Sequence, residues 1–238
     1  MATSDSTQFE YVAGEREHLP LNPKRSHRYR CCILALNQCL RDYLEVSELG
    51  SGSKVLDYGC GIQQYREFLP KGCEYMGADL PGNSLANIEI TPDGGLPVED
   101  QSIDLLLSTQ VLEHVDDPDF YLSESFRVLR PGGRLLLCTH GVFRYHPGPN
   151  DYWRWTHTGL LRIVRQTGFE VEQVRGLVGG SAAALQMFQD LTMQHLPGWL
   201  RPGYCAVLQT LMGWLDAHHS EAARLANAWD YAVLARKP

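Results

Sequence analysis

The run Val55-Leu56-Asp57-Tyr58-Gly59-Cys60-Gly61 sets two glycines directly after an apolar stretch. Glycines there let the backbone approach a ligand closely, and free N–H groups at the start of a following helix attract negative charge. A second apolar run ends at Asp79, 20 residues after Gly59, where a carboxylate is placed to accept both hydroxyls of a ribose. Together they point to a nucleoside-containing cofactor. A dinucleotide fingerprint wants Gly-x-Gly-x-x-Gly, and here Gln64 replaces the third glycine, which weighs against a nicotinamide dehydrogenase. The plainer readings are a structural turn for the glycines and a helix cap for Asp79.

A second concentration of chemistry lies between His140 and Thr156, a loop rich in aromatic, His and Arg residues. His140 or His146 suits a general base, with Asp151 to orient a histidine. Tyr152, Trp153 and Arg154 suit the wall of an acceptor site, and Pro147 and Pro149 would stiffen it. His114 either faces substrate or satisfies a core hydrogen bond. Trp153 and Trp155 also suit plain packing of the loop on the helix that follows.

These groups need elements to position them. Apolar residues recur at helical spacing from Ser26 to Glu48, and Gly50-Ser51-Gly52-Ser53 ends that pattern. Strands are predicted at Lys54–Tyr58, Glu74–Asp79, Ile88–Thr91, Ile103–Ser108, Arg134–Thr139 and Phe169–Leu177, with a last one at Tyr231–Ala235. Helices are predicted at Gln63–Leu69, Pro118–Leu129 and Thr158–Gln166. Strand–helix–strand alternation with continuous apolar runs means an α/β fold around a parallel sheet. Residues 181–228 read as a helical insertion before the last strand, either a lid over the cleft or a dimer contact. The chain divides into an arm and cap helix over 1–50 and one ligand-binding domain over 51–238.

The 238 residues carry 21 Lys plus Arg against 28 Asp plus Glu, a net charge of −7. That balance weighs against a global grip on nucleic acid or an anionic membrane while leaving room for a local basic patch. No apolar run reaches the roughly 18–20 residues that span a bilayer, and the polar start lacks a signal-peptide core, so a cytoplasmic chain is expected. The seven cysteines form no Cys-x-x-Cys pair, and neither they nor the nine histidines have zinc spacing, so no metal is expected.

Val55-Leu56-Asp57-Tyr58-Gly59-Cys60-Gly61 resembles motif I of class I S-adenosylmethionine (SAM)-dependent methyltransferases. Leu96 to Asp104, Gln110-Val111-Leu112-Glu113-His114-Val115 and Val128-Leu129-Arg130-Pro131-Gly132-Gly133 are similar to that family's later segments, in the same order. The resemblance covers about residues 54–177. It implies a Rossmann-like, mostly parallel sheet with an antiparallel last strand and helices on both faces. It also implies SAM as cofactor. Gly59, Cys60 and Gly61 would then pass under its methionyl part, with Asp57 ordering that loop and Tyr65 near the carboxylate. Asp79 would hold the ribose and Leu80 the adenine, bordered by Asp93, Gly95 and Leu96. Gln110 and Val111 would flank the methionine and ribose. The fuller motif has glycine where this chain has Gln63.

The segment His146–Thr156 is similar to the equivalent loop of methyltransferases in glycan biosynthesis, which implies a small-molecule acceptor such as a sugar hydroxyl or a natural-product intermediate. Two other uses of the site stay open: SAM-dependent cyclisation or elimination without methyl transfer, and a non-catalytic, partner-binding subunit. A homodimer is a further expectation.

Overall fold

The computed structural model describes residues 20–148 and 150–238. The arm through residue 19 and Pro149 lie outside the described residues. Seven strands form one sheet in the order β3-β2-β1-β4-β5-β7-β6. In chain order they are β1 (Lys54–Tyr58), β2 (Glu74–Asp79), β3 (Ile88–Glu89), β4 (Ile103–Thr109), β5 (Leu129–His140), β6 (Glu170–Gly179) and β7 (Ala228–Arg236). All neighbours pair in parallel except at β7, which runs antiparallel to both β5 and β6.

The central strands β1, β4, β5 and β7 are largely apolar because both faces are covered. Leu56, Leu106, Leu135, Leu137 and Val233 point into one core with helices α2 (Pro118–Val128) and α3 (His157–Gln166). Their neighbours Val55, Leu105, Leu107, Leu136 and Leu234 point the other way, onto α1 (Arg30–Val46). That alternation is the two-residue period of a strand. The face of α1 read from the sequence, Leu36, Leu40, Tyr43 and Leu44, is the one that buries. Asp117 caps α2 by accepting the Phe120 N–H, and Thr156 caps α3 through Gly159.

Several expected boundaries move. The segment after Gly61 is a 3-10 turn over Gln64–Phe68, short because Pro70 stops it. Strand β3 is two residues rather than four, since only Ile88 and Glu89 find partners on β2. Strand β5 starts at Leu129, before the expected Pro-Gly-Gly break: Leu129 pairs Ile103, Arg134 pairs Leu105, and residues 130–133 bulge between them around Gly132 at φ +80. Strand β7 extends three residues earlier than expected, from Ala228.

The insertion holds three helices, α4 (Gly180–Met193), α5 (Arg201–Ala217) and α6 (Glu221–Ala226). Pro197 falls in the α4–α5 connection and Pro202 in the first turn of α5, where a proline costs no hydrogen bond. The α4–α5 hairpin leans on the start of α1. The amides of Gln186, Gln189 and Gln209 all donate to the Arg28 carbonyl, at 3.1, 2.7 and 2.7 Å, and Gln209 Oε1 accepts the Cys31 N–H. All seven cysteines are free thiols.

Candidate active site

The strand order reverses between β1 and β4, and a cavity of about 1110 Å³ opens at their carboxyl ends. Open parallel sheets bind ligands at such a point. Gly59 turns the chain there at φ +86 and donates to the Ala78 carbonyl at 2.8 Å. A Cβ added to it would sit 2.4 Å from Val111 Cγ2, so only glycine fits. Gly61 (φ +54) donates to Asp79 Oδ2 at 2.9 Å. Gln63 takes the left-handed conformation, φ +58, at the position where the fuller motif has glycine, and its amide donates to the Leu85 carbonyl.

Asp79 Oδ1 accepts the Leu80 N–H at 2.8 Å, and Oδ2 also accepts the Asn83 amide at 2.6 Å. The carboxylate ties the end of β2 to the glycine loop, and a ribose hydroxyl reaching it must share or displace these donors. Asp57 is buried; loss of solvation pushes its carboxyl up to about 7, although the Tyr75 hydroxyl donates to it at 2.7 Å. Asp79, Asp93, Asp116 and Asp117 line the cavity with Arg28 and Arg144, a wall that suits a cationic ligand, while burial pushes Asp57 and Asp230, also in the lining, toward their neutral forms.

The floor beyond β4 is polar and only partly satisfied. Gln110 sits at φ +59, and Thr109 Oγ1, Gln110 Oε1 and Asp230 Oδ1 are buried without a hydrogen-bond partner. Unpaired polar atoms on a cavity floor fit a polar ligand that supplies the missing partners. The cofactor implied by the sequence meets that test. Its cationic sulfonium suits the acidic wall and its amino-acid end suits the floor. Of the positions expected to hold it, Asp57, Gly59, Cys60, Gly61, Tyr65, Asp79, Leu80, Asp93, Gln110 and Val111 line the cavity. Gly95 and Leu96 do not: the Leu96 N–H is taken by Glu124, and its side chain packs in the core. Asp93 and Gly94, of the same expected loop Asp93–Leu96, do line the wall.

Three imidazoles gather at the opposite side. The ring centroids of His114, His140 and His146 lie 5.9 to 6.4 Å from one another. His140 is buried and stacks on Phe143 at 3.5 Å and 7°. Behind it stands Glu113, a side chain not expected from the sequence. It is fully buried, accepts the Thr139 hydroxyl at 2.7 Å, and has Oε1 3.1 Å from His140 Nδ1 and 3.9 Å from His114 Nε2. Burial pushes Glu113 up to about 7 and holds His140 well below the usual histidine range, so both neutral forms are favoured. His114 Nδ1 contacts the Asn150 carbonyl, which only accepts, so that nitrogen carries the proton. Among the described residues no group of three or more His, Cys, Asp or Glu is arranged to hold a metal ion.

The rest of the expected acceptor wall lies elsewhere. Asp151 forks onto Arg154 at 2.5 and 2.6 Å and accepts the His146 backbone N–H, so it orients the loop and no histidine ring. Trp153 donates its indole N–H to the Val115 carbonyl and stacks on Trp155. Tyr152 and Arg154 line a shallow groove that shares Phe143 and Tyr145 with the main cavity. The insertion does not line the main cavity either. Its cover comes from α1, through Tyr29, Cys32, Ile33 and Leu36.

Residues 56–137 match a family model described as a methyltransferase domain. A probable S-adenosylmethionine-dependent methyltransferase of Mycolicibacterium smegmatis is 37% identical over 158 residues, which cover 60% of this chain and 62% of that relative. A ubiquinone biosynthesis O-methyltransferase of Ruegeria pomeroyi is 26% identical over 212 residues, 70% of this chain and 86% of its own. A phosphoethanolamine N-methyltransferase 2 of Haemonchus contortus, solved with S-adenosylhomocysteine, shares the fold at a TM-score of 0.55 and 18% identity, over 85% of this chain and 53% of that one. The match over residues 56–137 is to a methyltransferase domain, and the fold is the one shared by class I SAM-dependent methyltransferases.

Proposed function

We propose that the protein transfers a methyl group from SAM to a hydroxyl oxygen of a small-molecule acceptor. The observation that carries this reading is the cavity itself, with the acidic, glycine-turned cofactor side facing a cluster of three imidazoles backed by a buried carboxyl. Bound SAM supplies an electrophilic methyl group on a positive sulfur. The chain then has two tasks, to align the acceptor and to take its proton. Asp79, Asp57 and the loop Gly59–Gly61 fix the donor end, and the residues over α1 exclude water. A hydroxyl must lose its proton as the O–CH3 bond forms and the C–S bond breaks, and a neutral imidazole accepts it. His140 is the base in this reading, oriented by Glu113, while His114 and His146 line the acceptor's path.

Oxygen as the target is supported by the imidazole cluster, which a neutral amine would not need, and by the likeness to the Ruegeria O-methyltransferase. The likeness of the loop His146–Thr156 to glycan enzymes supports a sugar or another polyhydroxylated intermediate as acceptor. The test is release of S-adenosylhomocysteine from SAM with panels of sugar and phenolic hydroxyl acceptors, read with product mass. Products heavier by one methyl in place of hydrogen support the reading. With SAM retained, a product of unchanged mass points instead to cyclisation, and one lighter by an expelled group points to elimination.

A further inference from the structure

The charged side chains that line the cavity come from different parts of the fold according to sign. Asp79, Asp93, Asp116 and Asp117 follow β2, β3 and β4, whereas Arg28 precedes α1 and Arg144 lies in the loop after β5. The two arginines flank Tyr29, which is itself on the lining. The Arg28 guanidinium lies over its ring at 4.8 Å, and Arg144 Nε donates to its hydroxyl at 3.0 Å. A buried acid that does not line the cavity, Asp190 of α4, approaches Arg144 Nε at 3.9 Å. One carboxylate against two guanidinium groups leaves positive charge over on this side.

Arg144 has the donors to use that charge. Tyr29 and Asp190 both meet it at Nε, and its two terminal nitrogens hydrogen-bond no described residue. The backbone that carries it is held, because Arg154 donates to the carbonyls of Phe143 at 3.0 Å and Arg144 at 2.5 Å. Arg154 spends its remaining donors on Asp151 and the Trp153 carbonyl, so one arginine fixes the loop and the other is left for the cavity. Phe143, the residue before Arg144, stacks on His140, which puts the guanidinium on the imidazole side. Paired N–H donors of a guanidinium match two oxygens of a carboxylate or a phosphate.

We propose that Arg144, with Arg28 beside it, binds an anionic group of the acceptor, a carboxylate or phosphate on the molecule whose hydroxyl is methylated. The proposal rests on the reading that this side of the cavity takes a hydroxyl acceptor. It makes that acceptor an acid, not a neutral sugar or phenol. The carboxylate of the cofactor itself is the poorer match, since the glycine loop and Gln110, which suit its methionyl end, follow β1 and β4, while Arg144 follows β5 among the imidazoles.

The test is calorimetric titration of the full chain, saturated with S-adenosylhomocysteine, with acid and neutral members of three pairs. These are gallate against pyrogallol, glucuronate against glucose, and glycerophosphate against glycerol; the third separates phosphate from carboxylate. Wild type, Arg144→Gln and Arg144→Lys are compared, with thermal melting as the folding control. Wild type is expected to bind at least one acid roughly 10- to 100-fold more tightly than its neutral partner, as hydrogen bonds to a charged group would give. Arg144→Gln should abolish that preference and keep the affinity for S-adenosylhomocysteine. Arg144→Lys, which keeps the charge and loses the fork, should retain part of it. No preference for any acid in wild type, or an undiminished preference in Arg144→Gln, overturns the proposal. So does a tenfold loss of S-adenosylhomocysteine affinity in Arg144→Gln, which would assign the guanidinium to the cofactor. Binding needs no turnover, so an acid preference lost in Arg144→Gln, without any methylated product, upholds the anion site and counts against the methyl-transfer reading alone.

Discussion

Glu113 and His140 place a carboxyl oxygen 3.1 Å from an imidazole Nδ1, with both side chains out of contact with water. The pair is built from two adjacent strand ends: His140 closes β5, Glu113 follows β4, and the Thr139 hydroxyl braces the carboxyl from the same strand as the histidine. The two atoms face each other without completing a hydrogen bond, and each is buried with no other partner.

Replacing His140 with Asn is expected to lower kcat on a hydroxyl acceptor by about 10²-fold or more, the usual contribution of a general base. His146→Asn should cost roughly tenfold or less, and Glu113→Gln should fall between the two. Binding of S-adenosylhomocysteine should change little in all three. Single-turnover methyl transfer, measured beside cofactor affinity, checks the order.

Acid–base behaviour of the fold follows from the same burial. Glu113 and Asp57 titrate near 7 in the folded chain, against ordinary values of 4.5 and 3.8. The folded state keeps protons that the unfolded chain has released, so their stabilising effect is full below the ordinary carboxylate range and is lost as pH rises through 7. His140 works in the opposite sense, losing stability as pH falls below its ordinary 6.5. Glu113→Gln should remove the first effect at one site. The stability of wild type relative to this variant should decline between pH 4.5 and 7, by at most about 1.4 kcal/mol per pH unit. Chemical denaturation across that range measures it.

Gly59→Ala should combine backbone strain with a collision. The left-handed φ of +86 and a Cβ 2.4 Å from Val111 together cost about 2–4 kcal/mol. Adding Val111→Ala should recover the collision part and leave the strain. Melting of the single and double variants separates the two.

The strands and the glycine loop were legible in the sequence because strands buried on both faces are unbroken apolar runs, and because Asp57, Gly59, Gly61 and Asp79 fall at or just after strand ends. Glu113 was not legible as a buried group. It lies in a segment whose neighbours resemble a cofactor-binding motif, and only the fold brings Thr139 and His140 to it. Asp230 was hidden for a similar reason, as a single acid in the apolar start of β7. Within the loop 146–156 the expected roles of Asp151, Trp153 and Arg154 are not met, although His146 does line the cavity. The Asp151–Arg154 pair and the indole of Trp153 are instead spent on the loop's own backbone and on the Val115 carbonyl. The insertion read as a lid candidate because its amphipathic spacing shows that it packs, but not on what.

Gln209→Leu should loosen that packing. It removes an amide from the Arg28 carbonyl and leaves the Cys31 N–H without its acceptor, at a cost of about 1–3 kcal/mol. Since α1 roofs the cavity through Tyr29 and Ile33, cofactor affinity should fall along with the melting temperature. Calorimetric titration and melting of the same variant check both.

The central claim is that the glycine loop and Asp79 hold SAM. Its most direct test is thermal unfolding of wild type and Asp79→Asn with SAM, S-adenosylhomocysteine or NADH. At about 100 times its Kd a ligand adds about 2.7 kcal/mol, a rise of roughly 5–10 °C for a chain of this size. The account predicts that rise with both adenosyl ligands in wild type, its loss in Asp79→Asn, and no response to NADH. No rise with either adenosyl ligand in wild type, or a rise with NADH alone, would contradict it.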